Sequence, residues 1–286
     1  MIADYVQGCS VEEILARLQK ATLPVRVLAG GTDLLPRLRL DLAQRVEVVD
    51  ISGASDLKGI VPASRGLRLG AATKLAAVVV AEELSGNAWQ VLSEAASLVG
   101  SPQIRNLATL GGNICNASPA ADTVPALLAL DAQAELVSAR GVRSVPLSEF
   151  FVGPGRTVLD EDEILASVLL PEPPPGAVAA YLKHSPRRAM DLAVVGVGVL
   201  LAQVEGRIAA RIALGAVAPT PLRARQAEEM LRLAPRLNEE TIAEAARLAA
   251  LEARPISDVR ASAEYRTAMI ETLTRRALAH LAATLE

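Results

Sequence analysis

The stretch Leu28-Ala29-Gly30-Gly31-Thr32-Asp33-Leu34-Leu35 decides how the first part of this chain folds. It follows a short β-branched run at 25–29, which predicts a strand, and the polar residues after the glycines can cap a short helix that reaches Arg39. A further strand at 46–50 completes a small βαβ-like unit. Two glycines between a strand and a helix leave backbone N–H groups unpaired in a concave turn, which can bind pyrophosphate. Taken alone, the stretch favours a tight turn that binds nothing over a ligand site, because glycine pairs are common in turns.

A second pair of glycines stands in Thr109-Leu110-Gly111-Gly112-Asn113, and polar side chains that can bond phosphate or ribose lie near it. Two such loops favour a ligand over two ordinary turns. Neither loop matches GxGxxG or a P-loop, so a Rossmann domain is not supported. Nothing in the sequence resembles a nucleophile triad or a catalytic carboxylate pair. A phosphate site without acid–base groups is typical of a redox cofactor that carries the chemistry itself.

Composition bounds the remaining possibilities. The chain has 286 residues, is 51% hydrophobic and 21% charged, and is long enough for two cores. Its net charge of −3 and aromatic content of 2% argue against a nucleic-acid partner. Two cysteines and two histidines provide no disulfide, zinc or iron–sulfur framework. The hydrophobic stretch 192–204 is too short to span a membrane and no secretory signal is visible, so we expect a cytoplasmic location.

The order of the secondary-structure signals predicts an α+β fold in two domains. Ser10 and Glu13 form a capping box for a first helix, and strands and helices mix from 67 to 170. The proline-rich stretch 171–176 is the best linker, which gives domains at 1–174 and 175–286, the first with subdomains at about 1–55 and 56–174. Beyond it, a hairpin at Glu205-Gly206 precedes three helices, of which the second covers 238–253 and the last 262–283.

Four acidic pairs stand on the predicted helices. We expect each of them to be solvated on an exposed helix face: Glu12-Glu13, Glu82-Glu83, Glu228-Glu229 and Glu239-Glu240. His280 falls at helical spacing with Tyr265 and Met269, so it is a packed or surface helix residue rather than a ligand.

Several motifs in this order make the chain resemble the FAD-binding medium subunits of molybdenum hydroxylases, a family that includes xanthine dehydrogenase, carbon monoxide dehydrogenase and 4-hydroxybenzoyl-CoA reductase. The resemblance covers nearly the whole chain and includes these motifs: Ala29 to Pro36, Gln103 to Asn106, Thr109 to Asn113, Pro119-x-x-Asp122, Asp162 to Leu165, Lys183 with Arg187 and Asp191, and Asp258-x-Arg260-x-Ser262-x-x-Tyr265-Arg266.

This resemblance implies a p-cresol methylhydroxylase-type FAD-binding domain in two subdomains, followed by a small C-terminal domain of sheet and helices. It implies that backbone amides of both glycine loops cradle the pyrophosphate and that Asp122 bonds the flavin-side polyol or phosphate. The resemblance also places Leu165 and Lys183 near the isoalloxazine. The alternatives are that Leu165 is an ordinary core residue of a strand and that Lys183 is a surface charge. The residues expected to bind FAD are Leu28, Ala29, Gly30, Gly31, Thr32, Asp33, Leu34, Arg105, Thr109, Gly111, Gly112, Asn113, Asp122, Leu165 and Lys183.

One difference separates this chain from part of the family. Thr32-Asp33 is most similar to the 4-hydroxybenzoyl-CoA reductase branch, but the short run from Cys115 to Asp122 has no room for that branch's 4Fe-4S insertion. The resemblance implies an oxidoreductase subunit that passes electrons between 2Fe-2S clusters of a small subunit and an acceptor, which can be NAD, oxygen, quinone or ferredoxin. A molybdopterin-containing large subunit would oxidise the substrate. The alternatives are a self-sufficient FAD-dependent oxidase or dehydrogenase and an FAD-free scaffold subunit.

Overall fold

The computed structural model describes residues 1–40, 43–187 and 189–285, and it begins with a three-stranded parallel sheet. The strand order β1-β3-β2 is that of a βαβ unit with an added first strand. The first helix starts where Ser10 accepts a hydrogen bond from the Glu13 N–H, and it buries Ile14 and Leu18 against the sheet. The elements are β1 (Ile2–Gln7), α1 (Val11–Lys20), β2 (Val25–Leu28), α2 (Leu34–Leu40) and β3 (Val46–Asp50).

A five-stranded antiparallel sheet in the order β4-β5-β10-β6-β7 forms the second region, and helices cover one of its faces. Its strand β10 is almost wholly buried, because it lies in the centre of the sheet. The elements are β4 (Ile60–Ala63), β5 (Gly66–Gly70), α3 (Leu75–Val79), α4 (Gln90–Ser97), α5 (Pro102–Arg105), α6 (Leu110–Cys115), α7 (Thr123–Ala129), β6 (Gln133–Ser138), β7 (Gly141–Pro146), α8 (Leu147–Phe150), β8 (Phe151–Gly153), β9 (Arg156–Thr157) and β10 (Ile164–Pro171).

A four-stranded antiparallel sheet in the order β11-β12-β13-β14, packed on three helices, forms the third region. Successive side chains of β12 point to opposite faces of the sheet. Leu200 therefore packs into the core of the second region, and Val199 packs into the core under the helices. The elements are β11 (Val178–His184), β12 (Val195–Val204), β13 (Arg207–Gly215), β14 (Leu222–Arg223), α9 (Arg225–Leu233), α10 (Glu239–Glu252) and α11 (Ala263–Leu285).

Most predicted elements are confirmed. The hairpin turns at Glu205 and Gly206, both with positive φ (51° and 74°), as a two-residue turn of the primed type requires. Asn238 caps α10 as expected. Strand β1 was not predicted, because an edge strand with mostly exposed side chains carries no hydrophobic periodicity. The linker joins β10 to β11, and the division at residue 174 stays a prediction.

The expectation of solvated acidic pairs is wrong for Glu228. Its side chain is 9% exposed, because its carboxylate accepts hydrogen bonds from the Ile212 N–H and from the Arg223 guanidinium. A carboxylate can be buried when it is fully paired in this way. Sequence periodicity places Glu228 on a helix but does not reveal a cation on a neighbouring strand. Among the described helices, none has the length and apolar character needed to cross a bilayer.

Candidate functional site

A cavity of about 280 Å³ lies between the three-stranded and five-stranded sheets, and both glycine loops line it. The predicted site residues that it brings together are Ala29, Gly30, Gly31, Thr32, Asp33, Leu34, Thr109, Gly111, Gly112, Asn113 and Leu165. Four predicted site residues do not line this cavity: Leu28, Arg105, Asp122 and Lys183. Eleven of the predicted site residues therefore line one cavity, and their contact with FAD stays a prediction.

The first glycine loop supplies free backbone donors. Within the described parts of the chain, no group accepts a hydrogen bond from any N–H between Ala29 and Leu34. Gly31 has a φ of +70°, a left-handed conformation that glycine adopts without strain, and Leu35 closes the following turn by donating to its carbonyl. Successive unpaired N–H groups in such a turn form a concave anion site.

At Gly30 the first loop touches the segment that leads into the second loop. A Cβ atom at this position would lie 2.1 Å from the Leu107 carbonyl oxygen and 2.8 Å from the Ala108 Cα, so only glycine permits the approach. Gly111 is equally restricted, because a Cβ there would lie 2.6 Å from that of Ala71. Gly30 therefore permits the approach of the first loop to the Leu107–Ala108 backbone, and Gly111 permits the approach of α6 to Ala71.

In the second loop, most of the amides that the resemblance places at the pyrophosphate are paired within the protein, and their contact with a pyrophosphate stays a prediction. The N–H groups of Leu110 and Gly111 donate to carbonyls of the segment 71–73, and those of Gly112 and Asn113 donate to Thr109. The first turn of α6 is thus already capped. Only the Gly112 N–H is bound to a side chain, so rotation of the Thr109 hydroxyl would release it. The first loop therefore supplies a continuous run of unpaired amides, and in the second loop the Thr109 N–H is the one without an acceptor among the described residues.

The remaining wall is mostly apolar. Leu165 is 4% exposed on β10, and Val99, Leu159 and Ile164 lie on the same cavity. Cys115, on α6, is partly buried, and burial raises the pKa of its thiol to about 12. A surface of this kind suits a flat, largely apolar ring system with a polar tail at one end.

Sequence reasoning missed several lining residues, of which Arg37 is the most informative. It is the sole basic side chain lining the cavity within the described residues. Its N–H donates to the Asp33 carbonyl, one helical turn earlier. That spacing from the loop could have identified it, because residues four apart share a helix face. Cys115 and Asn116 follow Gly111 and Gly112 by the same spacing.

Glu163 also lines the cavity, but its carboxylate is engaged elsewhere. Arg143 donates to it at 2.8 and 2.6 Å, and this bond lowers the pKa of Glu163. The side chain is 3% exposed, so the charge is shielded from the cavity by its partner. The Glu163 carboxylate therefore has a structural role in the cavity wall, through its ion pair with Arg143.

Asp122 and Lys183 lie beside the cavity and pair with each other. Lys183 Nζ lies 2.8 Å from Asp122 Oδ2 and donates to the Leu98 carbonyl, and the Tyr181 hydroxyl donates to Asp122 Oδ1. Burial raises the pKa of Asp122, although Lys183 and Tyr181 act in the opposite direction. Arg105 likewise donates to the carbonyl of Val99, a lining residue. Lys183 and Arg105 therefore hold the backbone of Leu98 and Val99 in place beside the cavity. Contact of Asp122, Lys183 or Arg105 with flavin stays a prediction.

The residues of the cavity fit FAD. The free amides between Ala29 and Leu34 and the guanidinium of Arg37 are donors for a pyrophosphate, and the buried leucine and valine surface suits the ring system. The approach of the loops at Gly30 provides the narrow shape between them.

Comparison with known proteins agrees with this geometry. Residues 1–173 match the family model described as the FAD binding domain in molybdopterin dehydrogenase, and residues 180–281 match the CO dehydrogenase flavoprotein C-terminal domain. The xanthine dehydrogenase FAD-binding subunit of Escherichia coli O157:H7 is 37% identical over 90% of this chain and 89% of its own length. The carbon monoxide dehydrogenase medium chain of Hydrogenophaga pseudoflava is 33% identical over 96% of this chain and 95% of its own.

Solved structures show the same fold. A structure of carbon monoxide dehydrogenase from Hydrogenophaga pseudoflava matches with a TM-score of 0.93 and 33% identity, covering 98% of this chain and 97% of the other. Quinoline 2-oxidoreductase from Pseudomonas putida 86 matches with a TM-score of 0.89 and 29% identity, over 98% and 96%. The chain therefore belongs to the family of FAD-binding subunits of molybdenum hydroxylases, and it is a flavoprotein subunit of an oxidoreductase.

Proposed function

We propose that this chain transfers electrons between 2Fe-2S clusters of a small partner subunit and an external acceptor, in a complex whose large subunit carries molybdopterin. Its relatives named above are FAD-binding or medium chains of dehydrogenases, which supports a role as one subunit among several. The flavin, when bound, supplies a centre that exchanges electrons singly or in pairs. The cytoplasmic location and the choice among NAD, oxygen, quinone and ferredoxin stay predictions.

The observation that carries the proposal is the absence of substrate chemistry in the described lining of the cavity. Its titratable side chains are Asp33, Arg37, Cys115 and Glu163. The thiol of Cys115 stays protonated at neutral pH because its pKa is about 12, and Glu163 is held as a carboxylate by Arg143. Asp33 and Arg37 lie at the phosphate loop. Neither the Cys115 thiol nor the Glu163 carboxylate is therefore a general base poised near neutral pH.

The chain's own residues would bind and orient the cofactor. We propose that the amides of Ala29 to Leu34 and the Arg37 guanidinium hold the pyrophosphate. Gly30 lets the first loop approach the segment that leads into the second, and Gly111 lets α6 approach Ala71. Leu165 and Val99 would exclude water from the ring. Asp122 and Lys183 would set the position of the 98–99 segment and, through it, the ring site.

Affinity purification of the tagged chain from its native cells, followed by identification of the bound chains and a flavin absorption spectrum, tests the proposal. We expect flavin together with a molybdopterin subunit and an iron–sulfur subunit. Turnover of a substrate by the purified single chain would instead support a self-sufficient oxidase or dehydrogenase. A complex that assembles without flavin would support the scaffold alternative.

A further inference from the structure

A second cavity, of about 580 Å³, lies at the outer edge of the C-terminal sheet between β13 and α9. Pro174 of the linker closes one side. None of its lining residues belongs to the flavin cavity. The electron-transfer role leaves this surface unexplained.

The hairpin turn fixes which backbone groups of β13 face outward. In a two-residue hairpin the flanking residues, here Val204 and Arg207, bond to each other, so Arg207 and every second residue after it point their N–H and C=O groups toward β12. Ile208, Ala210 and Ile212 therefore point theirs to the outer edge.

At the outer edge of β13, the backbone N–H and C=O groups are hydrogen-bonded at one end and unpaired at the other. The Ile212 N–H donates to Glu228 Oε1 at 2.9 Å, and its carbonyl accepts from the Ala224 N–H at 2.8 Å. Strand β14 pairs only with Ala213 and Leu214. Across the described ranges of the chain, no group pairs with the N–H or C=O of Ile208 and Ala210. An open edge of this kind is a template for another strand.

The lining of this second cavity carries a surplus of positive charge. The arginines that line the cavity are Arg207, Arg211, Arg223, Arg225 and Arg232. Against these five stand three glutamates, at 205, 228 and 229, although the whole chain carries a net charge of −3. The positive surplus is therefore local, and it attracts an acidic partner.

Arg207 and Arg211 carry this surplus nearest to the open backbone groups. Arg207 forms no ion pair with any residue that the structure describes, and Arg211 has only Asp131, 3.4 Å away. Burial lowers the pKa of Arg211, and the charge of Arg223 adds to this effect. A further carboxylate would stabilise both guanidinium groups.

We propose that the outer edge of β13 binds an extended acidic segment of a partner protein by strand addition. Its backbone pairs with Ile208 and Ala210, and its carboxylates lie against Arg207 and Arg211. These arginines share one face of the strand, so acidic residues at alternate positions of the added strand reach them. The site is independent of the flavin and of the electron-transfer proposal.

A second copy of the chain fits this edge poorly. Two-fold antiparallel pairing of β13 with itself about Ala209 would place Arg207 opposite Arg211 of the second copy. Like charges directly opposite one another destabilise a strand pair. Charge complementarity therefore favours an acidic partner.

Fluorescence anisotropy with a labelled peptide of alternating glutamate and valine, added to the full chain at low salt, tests the proposal. We expect saturable binding that the double variant Arg207→Glu/Arg211→Glu weakens at least about tenfold. Arg247→Glu is the control, because Arg247 pairs with Glu244 on an exposed helix face outside the cavity and its reversal should leave binding unchanged. A peptide of alternating lysine and valine should not bind.

Backbone pairing is tested separately from charge. Ala210→Pro removes one outward N–H without altering the charge and should weaken binding as much as the double reversal. Because this variant risks unfolding the strand, a glutamate–valine peptide methylated at alternate backbone nitrogens provides the same test on the wild-type chain. Equal affinity for the methylated peptide would overturn strand addition, and unchanged binding to the double variant would overturn the location. Dimerisation through this edge without peptide binding would establish a second copy as the occupant and overturn the proposal.

Discussion

Lys183 Nζ lies 2.8 Å from Asp122 Oδ2 where strand β11 meets the start of helix α7, and both side chains are more than nine-tenths buried. The pair joins the C-terminal sheet to the region that holds the second glycine loop. Lys183 also donates to the Leu98 carbonyl, next to a residue of the cavity wall. Changes at this pair should therefore affect stability and the flavin site together.

Lys183→Met should destabilise the chain by about 3–5 kcal/mol, because it leaves the Asp122 carboxylate buried with only the Tyr181 hydroxyl as partner. Urea unfolding at neutral pH measures the loss. The double variant Asp122→Asn/Lys183→Met removes both charges and should recover much of the stability. A double variant no more stable than Lys183→Met would contradict the importance of the buried charge.

The single variant Lys183→Met should also change how the free energy of unfolding depends on pH. Burial raises the pKa of Asp122 in the folded chain, so the folded state binds a proton more tightly than the unfolded state does. The stability from this group is complete below its unfolded pKa of about 3.9 and is lost as pH rises through the folded pKa. Loss of Lys183 raises that folded pKa further. The difference in stability between wild type and Lys183→Met should therefore grow as pH rises, and a constant difference would argue against this cause.

Gly30→Ala should lower the flavin content of the purified chain at least about tenfold, since a Cβ there meets the Leu107 carbonyl oxygen at 2.1 Å and overpacking costs about 1–3 kcal/mol. The ratio of flavin to protein absorbance measures it. Gly153→Ala is the matched control, because a Cβ at that position has no neighbour within 4 Å. Equal flavin loss in both variants would show that the contact between the loops is not the cause.

Arg37→Glu should weaken FAD binding several-fold, on the order of 1 kcal/mol, because it places a negative charge beside the proposed pyrophosphate site. Titration of the flavin-depleted chain gives the affinity. Riboflavin, which has no phosphate, should bind wild type and variant alike. Arg39→Glu makes the same reversal on the same helix outside the cavity and should have a smaller effect.

Asp258→Asn should destabilise the C-terminal region by about 3–5 kcal/mol at neutral pH, because the Arg266 guanidinium is 1% exposed and loses its carboxylate partner. Hydrogen bonds from Arg260 and Arg266 hold the pKa of Asp258 well below its usual value. The stability from this group is present above about pH 3.9 and is lost as pH falls toward the folded pKa, so the gap between wild type and variant should narrow in acid.

Urea unfolding across this range measures the gap. Asp191→Asn is the control, because its partner Arg187 is 72% exposed and such an exposed pair contributes little to stability. Equal losses in the two variants would mean that burial of Arg266 does not decide the effect.

Iodoacetamide should modify the native chain once, at Cys9, which is exposed. Cys115 lies in the cavity wall with a pKa of about 12, so almost none of it is the reactive thiolate near neutral pH. Intact mass after brief alkylation shows the number of adducts, and unfolding in urea should add a second. Rapid modification of Cys115 in the folded chain would show that the wall opens.

The sequence predicted the elements that local chemistry controls. Paired glycines, the cap at Ser10 and the turn at Glu205-Gly206 act over a few residues, so they can be read from a single chain. The α+β class and the FAD cofactor also followed from it, through the order of the motifs. Strand β1 was missed because its stability comes from pairing with β3 rather than from its own pattern.

By itself, the sequence determined that two glycine loops exist and which family they resemble. The tertiary structure alone decided how the loops are used. It left the amides from Ala29 to Leu34 free and paired those from Leu110 to Asn113 with Thr109 and the 71–73 segment. It buried Glu228 against Arg223, and it paired Asp122 with Lys183, although these two residues are 61 positions apart in the sequence. Hydrogen bonds and ion pairs between distant segments form only when packing brings their atoms within about 3 Å, and no local pattern encodes that approach.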